Sequence, residues 1–185
     1  MTKPLAASEI EQIHDVVVAI VLPYDEKILP NEYRDTALIE SAAGRPFHTL
    51  FGEEAFPTLA SKAAALFHAL VCNHCFFNGN KRTAVVSLDI FLGMNNAIFV
   101  MASEDVYEMA KTTAKANEEG RPLSEVMADL TNWIGGAVFD VDQLKAALSG
   151  LDPASATQTS TGLVVRWLGY LTAALLQKLK DESPL

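Results

Sequence analysis

The sequence predicts an all-α fold: a helical bundle with a short β-hairpin-like insertion and an additional C-terminal helix. Three observations predict it. Apolar residues recur at helical spacing along most of the chain, start and stop signals cut them into helix-length segments, and strand signals are few. Half of the 185 residues are hydrophobic, enough for one domain with a full core.

Taken in order, Ser8 with Glu11 makes a capping box ahead of Ile10, Ile13, Val17 and Ile20, which share a helical face. Asp35 caps a short helix through Leu38 and Ile39 that ends at Gly44, Arg45 and Pro46. The segment "PFHTLFGEEAFP", Pro46 to Pro57, has apolar runs on either side of a Gly-containing turn and reads as a short hairpin or a loop. From Thr58 to Asn73, "TLASKAAALFHALVCN" is rich in Ala and Leu, lacks Gly and Pro, and is the strongest helix. Another starts near Lys81 and runs to about Met94. Ser103 caps "EDVYEMAKTTAKAN", and Leu123 to Trp133 forms a further helix before Gly135 and Gly136. Phe91, Trp133 and the methionines fall at core positions, and "DVDQLKAALSGL" reads as a short helix. One domain therefore covers 1–150, a polar linker 151–162, and a last helix, apolar around most of its circumference from Leu163 to Lys180, lies in 163–185.

A net charge of −9 argues against non-specific nucleic-acid binding, since phosphate backbones are repelled. The N-terminus lacks the apolar core of a secretory signal, and the most apolar segment contains Arg166 and falls short of a membrane span. The expectation is a cytoplasmic protein that binds neither nucleic acid nor membrane.

The stretch "CNHCFFNGNKRT", Cys72 to Thr83, offers two chemistries. Its CxxC lacks further ligands at paired spacing and a βαβ context, so Cys72 and Cys75 read as small apolar residues near a helix end. Its right half joins two strong helices. Gly79 permits a tight turn, and free N–H groups at the start of the next helix make an anion site. Lys81 and Arg82 add two cations where the helix dipole disfavours them, which a bound anion would offset. His74 lies a few residues away and is placed to act as a general base. Phe76 anchors the loop in the core.

The run His74, Cys75, Phe76, Phe77, Asn78, Gly79, Asn80, Lys81, Arg82 resembles the central motif of the Fic/Doc (Fido) family, His-x-Phe-x-acid-Gly-Asn-Gly/Lys-Arg. The flanking segments "YRDTALIESAAGRP" and "FPTLASKAAALFHALVCNH" are similar to its Doc (death on curing) branch, and the resemblance spans roughly residues 8–134. It implies a Fido-fold bundle that transfers a group from ATP, with Mg2+, to a protein hydroxyl. His74 would take the hydroxyl's proton, and Arg82 would share in catalysis. Asn78, Gly79, Asn80, Lys81 and Arg82 would hold the nucleotide, with Asn78 at the metal-ligand position. The segment Pro46–Pro57 corresponds to the family's flap, which aligns the target's backbone by strand addition.

Two positions bear on the activity. Lys81 stands where AMP-transferring members mostly carry glycine, and Val85 where they carry a second arginine, so the resemblance favours phosphoryl transfer over AMP transfer. Asn78 replaces the family's Asp or Glu and offers a hard cation one neutral oxygen; Asp89, further along the helix, reads first as an intrahelical or core partner for a cation and second as a candidate to compensate. A non-catalytic binding module therefore stands as a third reading. The implied partners are a target protein, such as a translation factor, and a small antitoxin. Glu119 and Gly120 lack the Ser or Thr of an internal inhibitory helix, having Lys115 there, which favours inhibition in trans. The last helix could pack on its own core, pair with a second copy, or receive the antitoxin. His14 and His68 read as hydrogen-bonded structural histidines, Arg34 and Asp35 as a cap or local ion pair, and Arg45 lies near the flap.

Overall fold

The computed structural model describes residues 1–21 and 28–143. Helix α1 (Ala7–Gln12) runs on as a π-helical segment, Ile13–Val21. There follow α2 (Thr36–Gly44), a 3₁₀ turn (Arg45–Phe47), β1 (Thr49–Leu50), β2 (Glu53–Glu54), α3 (Leu59–Cys72) and α4 (Asn80–Met94). Then come β3 (Ala97–Phe99), α5 (Ser103–Glu118), α6 (Leu123–Ala137) and β4 (Val138–Asp140). This is the expected mainly helical architecture, with two small two-stranded sheets among the described residues. The first compact unit is Met1–Phe139. In the second, the described residues after β4, 141–143, have helical backbone, and Asp140 Oδ1 accepts from the Asp142 and Gln143 amides. The expected boundary at 150, the linker 151–162 and the helix in 163–185 lie outside the described residues. No described helix is long and apolar enough to cross a membrane.

Helix α3 organises the bundle. Every residue from Lys62 to Val71 is buried, so it has no solvent face and must be covered on all sides. It packs against α2, the 3₁₀ turn, α4, α5 and α6. Ala63, Ala64, Ala65 and Ala69 are small enough for those neighbours to approach closely. Thr58 caps its start, accepting from the Ser61 N–H at 3.1 Å. Asp35 caps α2 in the same way, through the Ala37 N–H at 2.9 Å.

Several expectations need correction. The first helix starts at Ala7, and Glu9 rather than Glu11 reaches back, accepting from the Ala6 N–H at 2.7 Å. Widening to π geometry after Gln12 turns His14 and Val18 inward beside Ile10 and Ile13, and leaves Val17 half-buried. Ser103 is the first residue of α5, with Ala102 as its cap. Gly135 and Gly136 lie inside α6 rather than ending it. A Cβ on Gly135 would meet Ala60 at 3.6 Å, an ordinary contact distance. Phe91 is fully buried as expected, but Trp133 is 41% exposed, beside a groove between α5 and α6.

His68, on α3, is buried, its Nε2 lies 3.8 Å from Cys72 Sγ, and no described protein group reaches its Nδ1. Burial, helped by the nearby Arg45 charge, lowers its pKa to about 4 from the ordinary 6.5. On acidification the unfolded chain therefore takes up this proton first, and stability falls as pH drops from about 6.5 to about 4. Thermal unfolding across that window should show a loss of about 2 kcal/mol from this group. His68→Met should flatten that part of the profile; an unchanged profile would refute the assignment.

Candidate active site

The site is built where α3 stops and α4 starts. Asn73 is the last residue with helical backbone, and His74 follows with φ +52°. Glycine is preferred at that position, because a Cβ in the left-handed region crowds the backbone. A histidine held there carries strain, and its ring is exposed. Cys75 and Phe76 then turn inward and are fully buried.

The loop is held from three directions. The Asn80 carboxamide spans it: its Oδ1 accepts from the Phe76 N–H at 2.9 Å and its Nδ2 donates to the Phe76 carbonyl at 2.8 Å. From the side, residues 32–34 pair with it as a short antiparallel bridge. Arg34 N–H donates to Cys75 O at 2.9 Å and Phe77 N–H to Glu32 O at 3.2 Å. From below, His14 stacks flat on Phe76, with ring centres 4.0 Å apart, and donates from Nε2 to the Asn78 carbonyl at 3.2 Å. Its Nδ1 pairs with Asp15 at 2.9 Å, and Asp15 also accepts from Tyr33 OH and the Asn31 N–H. Burial alone would raise the Asp15 pKa, but the hydrogen bonds from His14, Tyr33 and Asn31 outweigh it and hold the carboxyl below its usual range.

Gly79 closes the loop at φ +82° and is itself the cap of α4, with no side chain bonding the helix amides. A Cβ there would lie 3.2 Å from Ile28 Cδ1 and 3.3 Å from Val18 Cγ1, a tight fit, and the positive φ itself favours glycine. The first turn of α4 thus offers N–H groups beside exposed Lys81 and half-buried Arg82, a concentration of positive potential in an acidic protein.

Two predicted side chains face differently from a simple phosphate cradle. Asn80 is turned into the loop, leaving its backbone N–H for a ligand. Asn78 Oδ1 accepts from the Gly79 N–H at 2.7 Å, satisfying a donor that an anion would otherwise take. Asp89 is in an exposed position on α4, yet protein atoms crowd its carboxyl and desolvation raises it to about 6. Among the described residues no three His, Cys, Asp or Glu side chains converge as a metal site. With one neutral oxygen already engaged, the residues present do not fit a protein-held Mg2+.

Burial pushes the thiols of both Cys72 and Cys75 up to about 11, so each is protonated at neutral pH and packs as a small apolar group. Arg45 is half-buried near His68 and Cys72, and Glu119 ends α5 in an exposed ion pair with Lys115 at 3.5 Å.

Comparison with known proteins agrees with this geometry. The model of the Fic/DOC family matches residues 4–92, which include His14, the hairpin, α3 and the loop. The protein named Toxin Doc of Mycolicibacterium smegmatis (strain ATCC 700084 / mc(2)155) is 34% identical over 126 residues, 68% of this chain and 81% of that one. The chain belongs to the Fic/Doc family. Within it, the likeness is to the Doc branch. No solved structure matches the chain.

In this Fic/Doc protein the flap is the predicted hairpin. Thr49 pairs with Glu54 and Leu50 with Glu53, and Phe51 and Gly52 turn with φ of +53° and +89°. Sequence reasoning missed three supports of the site. Asp15 and Tyr33 form the network under the loop, Arg34 is bonded into it with its guanidinium 5.6 Å from the Phe77 ring centre, and Lys62 is buried against the flap. Only the buried-lysine position carried a signal, a lone charge inside an otherwise apolar helix.

Proposed function

We propose that this Doc-branch protein is a toxin that transfers the γ-phosphoryl group of ATP to a hydroxyl of a target protein in the cytoplasm. A small antitoxin is its partner. The observation that carries the reading is one juxtaposition: an exposed histidine on left-handed backbone, two residues before a buried anchor, beside a glycine-capped helix start bearing Lys81 and Arg82.

In this reading, the backbone N–H groups of Asn80, Lys81 and Arg82 and the side chains of the last two hold the phosphates. His74 accepts the proton of a Ser, Thr or Tyr hydroxyl as its oxygen bonds to the γ-phosphorus. The bond from that phosphorus to the β–γ bridging oxygen breaks, and ADP leaves. The lysine at position 81 fills room that an AMP-transfer pose needs, which favours this reaction. AMP transfer is the second reading. Incubation of the full chain with α- and γ-labelled ATP, Mg2+ and a cell lysate decides between them: γ label alone supports phosphoryl transfer and α label supports AMP transfer. No label from either position would sink both and leave a binding module.

Asn78 as the residue facing a nucleotide-borne Mg2+ belongs to the same proposal. Asn78→Asp keeps an acceptor for the Gly79 N–H and adds a charge for a hard cation. It should lower the Mg2+ concentration needed for nucleotide binding by about tenfold, or about 1.4 kcal/mol. Calorimetric titration of ATP at several Mg2+ levels checks this, and equal Mg2+ dependence in both proteins would exclude the role.

A further inference from the structure

Lys62 lies in the first turns of α3 with 3% of its side chain exposed, the one buried lysine among the described residues. Taking an ammonium out of water is costly unless partners replace its hydration, and an apolar side chain would fill the same position without that cost. Among the described residues, the partners of its ammonium come from the flap or its base. Its Nζ pairs with Glu54 Oε1 at 3.0 Å, donates to the Pro46 carbonyl at 3.4 Å, and sits 5.3 Å from the centre of the Phe47 ring. These contacts bracket the hairpin, with Pro46 and Phe47 before β1 and Glu54 within β2. The hairpin needs such an anchor. Its strands have two residues each, all exposed, and its tip residue Phe51 is fully exposed; a lone ribbon of that size does not hold its shape in water.

We propose that Lys62 is a positioning residue that fixes the direction of the flap on α3, and thereby the segment of target protein laid along the flap. The inference rests on the phosphoryl-transfer reading above. Helix α3 is also the element whose end places His74, so one rigid rod carries both the aligning ribbon and the base. A flap free to swing would lower the effective concentration of the target hydroxyl at His74 without touching the nucleotide.

Lys62→Met keeps the volume and removes the charge. Glu54→Gln removes the pair from its exposed end, where folding is not at risk, and Lys62→Arg restores a cation. Chymotryptic cleavage of the full chain after Phe51 should speed up on the order of tenfold in the first two variants and recover in the third, with cleavage elsewhere unchanged. With γ-labelled ATP and lysate, the lysate concentration giving half the maximal labelling rate should rise in parallel. The ATP concentration giving half the maximal rate should stay the same. Faster cleavage throughout the chain, or equal losses for ATP and lysate, would mean that Lys62 supports only the core and would overturn the proposal. So would unchanged cleavage after Phe51 in Glu54→Gln. If the unmutated chain labels nothing, the role in target alignment falls with the reaction itself, and selective cleavage would show that the failure lies in the reaction and not in the anchor.

Discussion

Replacing His74 with alanine is expected to reduce group transfer by about 10²- to 10⁴-fold, the usual contribution of a positioned general base. Stability should hardly change, because the ring is exposed and alanine keeps the same backbone penalty at φ +52°. Glycine at 74 separates the two effects. It too lacks the imidazole and should be as inactive, but it relieves the left-handed strain next to the α3 cap and should stabilise the fold by about 1 kcal/mol. That corresponds to a rise in melting temperature of about 2–4 °C for a chain of this size. Labelled-ATP assays and thermal unfolding on the three proteins are the measurement. A His74→Gly protein no more stable than His74→Ala would show that the position is unstrained, and retained activity in either would remove His74 from the chemistry.

The second large effect is expected at Asn80. Its carboxamide satisfies both the N–H and the carbonyl of Phe76, so Asn80→Ala strands two partly buried backbone groups. The loss should be about 2–4 kcal/mol by denaturant unfolding, with nucleotide binding weakened because the amides after Gly79 are no longer held in place. Asn80→Asp should behave differently. It still accepts from the Phe76 N–H but cannot donate to the carbonyl, and it puts a negative charge where phosphates are to sit. The aspartate should therefore cost at least as much stability as alanine, because its second oxygen is set against the Phe76 carbonyl, and more nucleotide affinity. If both variants fold and bind nucleotide as the unmutated chain does, Asn80 is not the strut of the loop.

Much of this was legible in the sequence because it depends on neighbours within one or two turns. The cap at Asp35, the Ala- and Leu-rich α3, the start of α4 and the Gly-containing turn of the flap are all set by local chemistry. What local reasoning misjudged has a non-local cause. The first helix widens where His14 must meet Asn78, 64 residues away, and an α-helical period then points to Val17 when Val18 is the buried residue. Gly135 and Gly136 look like a helix end, yet α6 continues because Ile134 and Ala137 are buried on either side of them. Strands β3 and β4 are three residues each and show no alternation long enough to read.

By itself, then, the sequence determined the helices, the flap and the nine-residue run from His74 to Arg82, since helix propensity, caps and turn chemistry act over a few residues. Tertiary structure alone decided how that run is used. It turned the Asn80 carboxamide onto Phe76 and the Asn78 oxygen onto Gly79, set the His14–Asp15–Tyr33 network beneath the loop, and buried Lys62 against the flap. Each of these joins groups distant in sequence or chooses among several possible partners for one polar atom, and that choice is made by packing rather than by the residue's own preference.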